Sequence, residues 1–396
     1  MSNLNSIGEN IRRLLNNQQR QQKQQRQQLH VSETTENRRF KKTNMHVQIP
    51  KYIYIDNVEY ELNKNIGGHI FFYGNDYVMK VNKFSSMIIK EITIYEKLKK
   101  NLDQKCKNNI INYIGSGDLE CTSCLPETFK FLICTKGSFD MFEYILNEVE
   151  PIGGFGVFTM IEILKIMRQI AYGIQCIHNS NIVYVDLKFE NILIDNKNPK
   201  KPIIKIFDFD GSHNNNNNIK RITYSSTTMS PELKRYNHER NKGNLDNITY
   251  PTDIWSIGIM FVQIMNAFSI FPIDEYLNAD DDTDEKIFKS VFEKHTDGGY
   301  YFQQINSMEK FKYINKEENK KLWNLTKLLV KRMIRLNPKK RITIDSVIKG
   351  IDYILKIKYL FIIIKKIHHL IININMIGHL FIKPFQKKNL IKTQSL

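Results

Sequence analysis

The sequence predicts an α+β protein with two lobes, a small β-rich one over residues 51–135 and a large helical one over 136–355. Two changes of pattern predict it. From Tyr52 to Val81, short runs of aromatic and β-branched residues are broken by turn residues, as antiparallel strands are. After Thr135 the apolar residues recur at helical spacing. The strongest case is residues 159–178, where Ile161, Leu164, Met167, Ile170, Ile174 and Ile177 share a face.

Taken in order, residues 1–50 open with Ile7, Ile11, Leu14 and Leu15, enough for two amphipathic turns. A Gln/Arg run over 16–28 follows with almost nothing to bury, which predicts a disordered tail. Strands are expected at 52–55, 60–62, 70–73 and 77–81, the last two closing a tight hairpin over Gly74-Asn75-Asp76. A helix over 86–101 presents Ile88, Ile89, Ile92, Tyr95 and Leu98, and strands at 110–114 and 129–135 complete the small lobe. In the large lobe, 203–207 reads as a buried strand, and 252–267 and 320–336 read as further helices.

Residues 356–396 form a basic, Ile-rich tail. Lysines interrupt it, so no apolar run reaches the ~18 residues that a spanning helix needs. Leu360, Ile364, Ile367, Ile371, Ile374 and Phe381 nonetheless share a helical face. That face fits an interfacial helix, a helix packed on the large lobe or on a partner, or, given its many isoleucines, β structure.

With 41% hydrophobic residues the chain can bury a sizeable core. Its net charge of +17 belongs to its ends. Residues 1–50 carry +6 and residues 355–396 carry +8, leaving +3 for everything between. Specific nucleic-acid binding is therefore not expected, whereas the tails suit an anionic membrane surface or an acidic partner. Five cysteines without framework spacing, and no apolar N-terminal segment, suggest a reducing interior. The cytoplasm is expected, with the nucleus or a membrane periphery as further options. Cys121-Thr122-Ser123-Cys124 is a lone pair, better read as two free thiols than as a zinc site. Asp280, Asp281, Asp282, Asp284 and Glu285 fit a solvated loop better than a site for basic substrates.

The chemistry concentrates in residues 183–193, Val-Tyr-Val-Asp-Leu-Lys-Phe-Glu-Asn-Ile-Leu. Apolar flanks anchor a short polar loop there. Asp186 is able to accept a proton, Lys188 to neutralise phosphate charge, and Asn191 to ligate a hard cation through its amide oxygen. This loop resembles the H-R-D-L-x-x-x-N catalytic loop of eukaryotic protein kinases, with Tyr184 for the His and Val185 for the Arg. Asp208-Phe209-Asp210-Gly211 resembles the D-F-G segment, Ser230-Pro231-Glu232 the A-P-E segment, and Asp253-Ile254-Trp255-Ser256-Ile257-Gly258 the D-x-W-S-x-G helix start. Asn337-Pro338-Lys339-Lys340-Arg341-Ile342-Thr343 resembles the late N-P-x-x-R-x-T stretch. The motifs stand in the family's order and cover residues 52–355.

The resemblance implies a serine/threonine protein kinase fold and a site using ATP and Mg²⁺ on protein substrates. Asp186 and Lys188 would be catalytic, Asn191 and Asp208 would hold metal, and Lys80, paired with Glu91, would contact the α- and β-phosphates. Phe209 would pack beneath the small lobe's helix, and Glu232 would pair with Arg341. Gly67 and Gly68 stand where a phosphate-covering loop belongs, but His69 and Phe72 replace its later glycines. Cys134, Thr135 and Lys136 fall at the adenine hinge, with Cys134 at the back of the pocket. Asp210 takes the usual glycine position and reads either as a carboxylate near the metal or as an exposed turn residue. Val185 removes the arginine that grips an activation-loop phosphate. Activity is then expected not to depend strongly on phosphorylation of Thr223, Ser225 or Thr227. Two function classes stay open: an active kinase, and a pseudokinase scaffold, which the altered glycine loop, Val185 and Asp210 favour.

Overall fold

The computed structural model describes residues 49–67, 69–82, 85–119, 129–145, 151–152, 155–156, 158–195, 203–215, 222, 224–225, 228–238, 248–265 and 316–357. The tail helix near Ile7, Gly68, Cys121 and Cys124, Thr223 and Thr227, the acidic stretch 280–285 and residues 358–396 lie outside them.

The small lobe is a six-stranded antiparallel sheet in the order β1-β2-β3-β4-β6-β5. Its strands are β1 (Tyr52–Ile55), β2 (Val58–Gly67), β3 (Ile70–Tyr73), β4 (Tyr77–Asn82), β5 (Tyr113–Leu119) and β6 (Phe129–Thr135). Two residues, Asp56 and Asn57, join β1 to β2 with φ of 51° and 63°, the paired left-handed geometry of a hairpin turn that Asp and Asn tolerate. Gly74 opens the β3–β4 turn at φ 53°, and a Cβ there would sit 3.0 Å from the Tyr60 ring. One face of the sheet buries Ile53, Phe71, Tyr73, Met79 and Phe129 in a cluster of their own. The other receives helix α1 (Ser85–Asn101), whose Ile88, Tyr95 and Leu98 join the main core.

The expected strand at 110–114 is displaced. Ile110 makes a single parallel bridge to Ile206, and β5 runs on through Gly115 and Gly117 to Leu119. Glycines argue against a strand in sequence. Here Gly117 is required, because a Cβ would fall 2.7 Å from the Phe131 ring on the neighbouring strand.

The large lobe is built on α2 (Met160–Asn179), α3 (Pro231–His238), α4 (Tyr250–Met265), α5 (Lys316–Met333) and a helix over 344–357. Thr159 caps α2 in a reciprocal box with Glu162, and Leu164, Met167, Ile170, Ile174 and Ile177 are fully buried as the periodicity predicts. Helix α4 is buried on nearly every side, and α5 begins and ends about a turn earlier than expected. Short strands β7 (Phe139–Asp140), the β8–β9 hairpin (Pro151–Ile152, Phe155–Gly156), β10 (Ile182–Val183), β11 (Ile192–Asp195), β12 (Ile203–Ile206) and β13 (His213–Asn214) fill the cleft side of this lobe. Pairing of β11 with β12 and of β10 with β13 sets the ends of the 183–193 loop. In β12, Ile204 and Ile206 are buried but Ile203 is exposed.

Cys106, on the one-turn Cys106–Asn109 helix, is disulfide-bonded to Cys176 of α2, a pair 70 residues apart. Spacing gave no sign of it, because the partners meet only when the loop after α1 lands on α2. Among the described residues, no helix is long and apolar enough to cross a membrane.

Candidate active site

The cleft-side loop is held rigidly by its backbone. The N–H groups of Tyr184 and Val185 donate to the two carboxylate oxygens of Asp253 at 2.9 and 2.7 Å, and His178 Nε2 lies 2.8 Å from the same carboxylate. Thr228 Oγ1 donates to the Leu187 carbonyl at 2.6 Å, and Ser256 Oγ donates to the Thr228 carbonyl. Asp253 is completely buried at the start of α4, so its charge is matched by donors rather than by solvent.

On this frame Asp186, Lys188 and Asn191 converge. Lys188 Nζ is 2.7 Å from Asp186 Oδ2, and Asn191 Nδ2 donates to the same oxygen at 3.0 Å and to the Asp186 carbonyl at 2.9 Å. The other carboxylate oxygen, Oδ1, is buried and has no hydrogen-bond partner. A buried carboxylate oxygen without a donor is costly, and sites that bind a proton-bearing group are where such atoms persist. With its nitrogen turned to Asp186, the Asn191 amide keeps its oxygen for a cation.

Opposite lies a second cluster. Lys80 Nζ, on β4, bridges Glu91 Oε2 of α1 at 2.9 Å and Asp208 Oδ1 at 2.8 Å. Glu91 Oε1 also accepts from the Phe209 N–H at 3.3 Å. Burial opposes the charge on Lys80, but Asp208, Glu91 and Asp210 outweigh it and raise its pKa well above the usual value. Burial likewise works against Asp208, yet Lys80 and Lys188 keep its carboxyl below the ordinary range. Glu91 is pushed up to about 7, chiefly by burial and secondarily by the neighbouring aspartates, with Lys80 opposing.

Phe209 packs as expected, its ring 4.9 Å from Tyr95 of α1 and 5.3 Å from Tyr184. The left-handed conformation in this turn falls on Asp208 (φ 62°) and not on Asp210, so the turn needs no glycine at 210. Asp210 is half-buried rather than exposed, and burial together with Asp208 pushes its carboxyl up to about 6.

The small-lobe side is less complete. Gly67 pairs with Ile70 across β2 and β3, leaving only Gly68 and His69 between the strands. Cys134 is buried in β6, where burial pushes its thiol up to about 12. The N–H groups of Thr135 and Lys136 donate to the carbonyls of Asn112 and Asp76, at 2.9 and 2.6 Å.

In the large lobe Arg341 binds Glu232 with two parallel hydrogen bonds of 2.6 and 2.7 Å, and Thr252 Oγ1 adds a third to Glu232 at 3.0 Å. Sequence reasoning foresaw this pair but not the pins on the loop. Asp253 was visible only as part of a helix start, and Ser212, Thr228 and the Tyr184 hydroxyl carried no signal, being common polar groups with distant partners.

Two oxygen donors, Asp208 and Asn191, face a cleft whose buried Asp186 Oδ1 is unpartnered. Among the described residues, no group of three or more His, Cys, Asp or Glu side chains could hold a metal alone. One carboxylate and one amide oxygen suit Mg²⁺, which usually completes its shell with water and substrate phosphates.

Against known proteins, residues 76–352 match the protein kinase domain family. The chain is 31% identical over 116 residues to serine/threonine-protein kinase 17A of Oryctolagus cuniculus, covering 29% of this chain and 27% of that one. It is 28% identical over 195 residues to mitogen-activated protein kinase 13 of Arabidopsis thaliana, 46% of this chain and 48% of that one. It is 27% identical over 167 residues to myosin light chain kinase 3 of Danio rerio, 40% of this chain and 21% of that one. The matched stretches thus span less than half the length of each of these relatives.

Proposed function

The chain belongs to the protein kinase domain family, and on that premise we propose that it phosphorylates serine and threonine hydroxyls of protein substrates, with ATP and Mg²⁺. The domain spans 51–355, with tails of 1–50 and 356–396. The observation that carries the reading is the Asp186 carboxylate, one oxygen fixed by Lys188 and Asn191, the other buried and unpartnered.

In this reading Asp186 Oδ1 accepts the hydrogen of the substrate hydroxyl, orienting its oxygen and taking the proton as the phosphoryl group transfers. Lys188 sits where it offsets charge on the transferring group. Asn191 and Asp208 would hold Mg²⁺, which neutralises phosphate charge when bound. Lys80, kept protonated and aimed by Glu91, clamps the non-transferred phosphates. Gly67 and Gly68 lie over them, and Cys134, Thr135 and Lys136 line the adenine end. The basic tails supply an attachment to anionic surfaces or acidic partners.

Phosphorylation of a generic basic protein by wild type beside Asp186→Asn tests this. A loss of about 10³-fold or more in the variant is expected; equal background signal from both would falsify turnover.

A scaffold that binds nucleotide or protein without turnover is the second reading. It is favoured by the two-residue Gly68-His69 connection and by the Lys136 N–H, which is already bonded to Asp76.

A further inference from the structure

Tyr184 holds the segment carrying Asp208 at both ends. Its hydroxyl donates to the carbonyl of Phe207, one residue before the aspartate. Its own carbonyl accepts from Ser212 Oγ at 3.1 Å, four residues after it. The Tyr184 N–H is anchored in turn on Asp253, and the ring is fully buried and edge-on to Phe209. Between the two anchors Asp208 adopts φ 62°, a conformation that residues other than glycine leave unless their surroundings hold it. Nothing in the family resemblance required this phenol; it stands where a histidine was expected.

We propose that Tyr184 is a positioning residue for divalent-cation binding by Asp208, acting through its hydroxyl. This rests on the kinase reading above. The Asp208 carboxylate is drawn to Lys80 at 2.8 Å, so a cation has to share it with an ammonium group. Sharing requires that the backbone stay in place while the side chain adjusts. The bond to the Phe207 carbonyl supplies that restraint immediately before Asp208, and the bond from Ser212 supplies it beyond Gly211. A ring that merely filled space would serve as well without its oxygen, and this separates the two accounts.

The test uses the full chain and Mn²⁺ as probe. Mn²⁺ affinity is measured with saturating ATP by electron paramagnetic resonance, alongside metal-free ATP binding and thermal melting. Tyr184→Phe keeps the ring and removes the bond. It is expected to weaken Mn²⁺ about tenfold while leaving metal-free ATP binding within about twofold, the scale on which supporting hydrogen bonds tune metal ligands. Ser212→Ala is expected to act in the same direction, and the double variant to lose less than the product of the singles, because both restrain one segment. Wild-type Mn²⁺ affinity in Tyr184→Phe, whether or not the melting temperature falls, overturns the proposal alone. Absence of Mn²⁺-dependent ATP binding in wild type overturns the kinase reading and this inference with it.

Discussion

Two clusters in this molecule pair a cation with carboxylate, and they are built to opposite ends. Arg341 and Glu232 meet in the large lobe through two parallel bonds, with Thr252 completing the carboxylate and the Trp255 ring 5.1 Å from the guanidinium. Lys80, between the lobes, is shared by Glu91 and Asp208, with Asp210 adding a further negative charge nearby. The first cluster has one charge of each sign and is closed. The second has more negative charge than one lysine satisfies, and it shows the strain as a glutamate pushed up to about 7. A closed pair secures architecture; a surplus of oxygen donors beside a cleft is suited to receiving a cation. The difference teaches which cluster serves the fold and which serves the ligand.

The largest effect should come from breaking the closed pair. Glu232→Gln leaves Arg341 buried without a counter-charge, which costs about 3–5 kcal/mol. Thermal melting should fall by roughly 10 °C, at ~2–4 °C per kcal/mol for a domain near this size. A drop of only a degree or two would mean that the pair is dispensable.

The open cluster should respond in the reverse sense. Glu91→Gln is expected to change stability by less than about 1 kcal/mol, because it removes a buried carboxylate that burial already disfavours. Phosphorylation activity should nonetheless fall by about 10²-fold as Lys80 loses its guide. Comparable losses in stability for Glu91→Gln and Glu232→Gln would erase the distinction.

Acid separates the two further. For Glu232, burial raises the pKa but Arg341 more than reverses it, leaving the folded value below the ordinary 4.5. Its contribution is present above about pH 4.5 and is lost as pH falls through the depressed value. Glu91 is raised, so its relative contribution is complete below pH 4.5 and is lost as pH rises towards 7. Melting curves between pH 4 and 8 should therefore show the Glu232→Gln deficit shrinking toward acid. Glu91→Gln should gain relative to wild type as pH rises from 4.5 to 7. Opposite slopes would refute these assignments.

The smallest effect concerns the activation segment. Val185 is buried with Val183, Ile222, Met229, Leu233 and Ile248, so apolar packing occupies the place where the family's arginine was expected. Changing Thr223, Ser225 and Thr227 together to Ala should leave activity within about twofold, measured on the same basic substrate. Collapse of activity would show that phosphorylation still governs the segment.

Much of the site was legible because its residues are close in sequence or bound to strong local patterns. Asp186, Lys188 and Asn191 fall within six residues, and Lys80 and Glu91 fall on a strand and the helix that follows it. Glu232 and Arg341 were paired only through the family resemblance, being 109 residues apart. What stayed hidden depends on the folded path. Asp253 accepts from amides 69 and 68 residues earlier, Asp208 takes a left-handed φ that no aspartate announces, and β5 passes through two glycines because Phe131 lies over one of them. Val185 is the instructive case. A missing arginine could be read from sequence, but the apolar cluster that fills its place could not.

The disulfide between Cys106 and Cys176 has a mechanical consequence. It closes a covalent ring that contains β5, β6 and the crossing at residues 135–137, so the two lobes are joined twice, once by the chain and once by sulfur. Opening of the cleft must then pivot about an axis near both joints, and a sideways slide of one lobe over the other is restrained. Reduction of that bond would leave the crossing alone to set the swing.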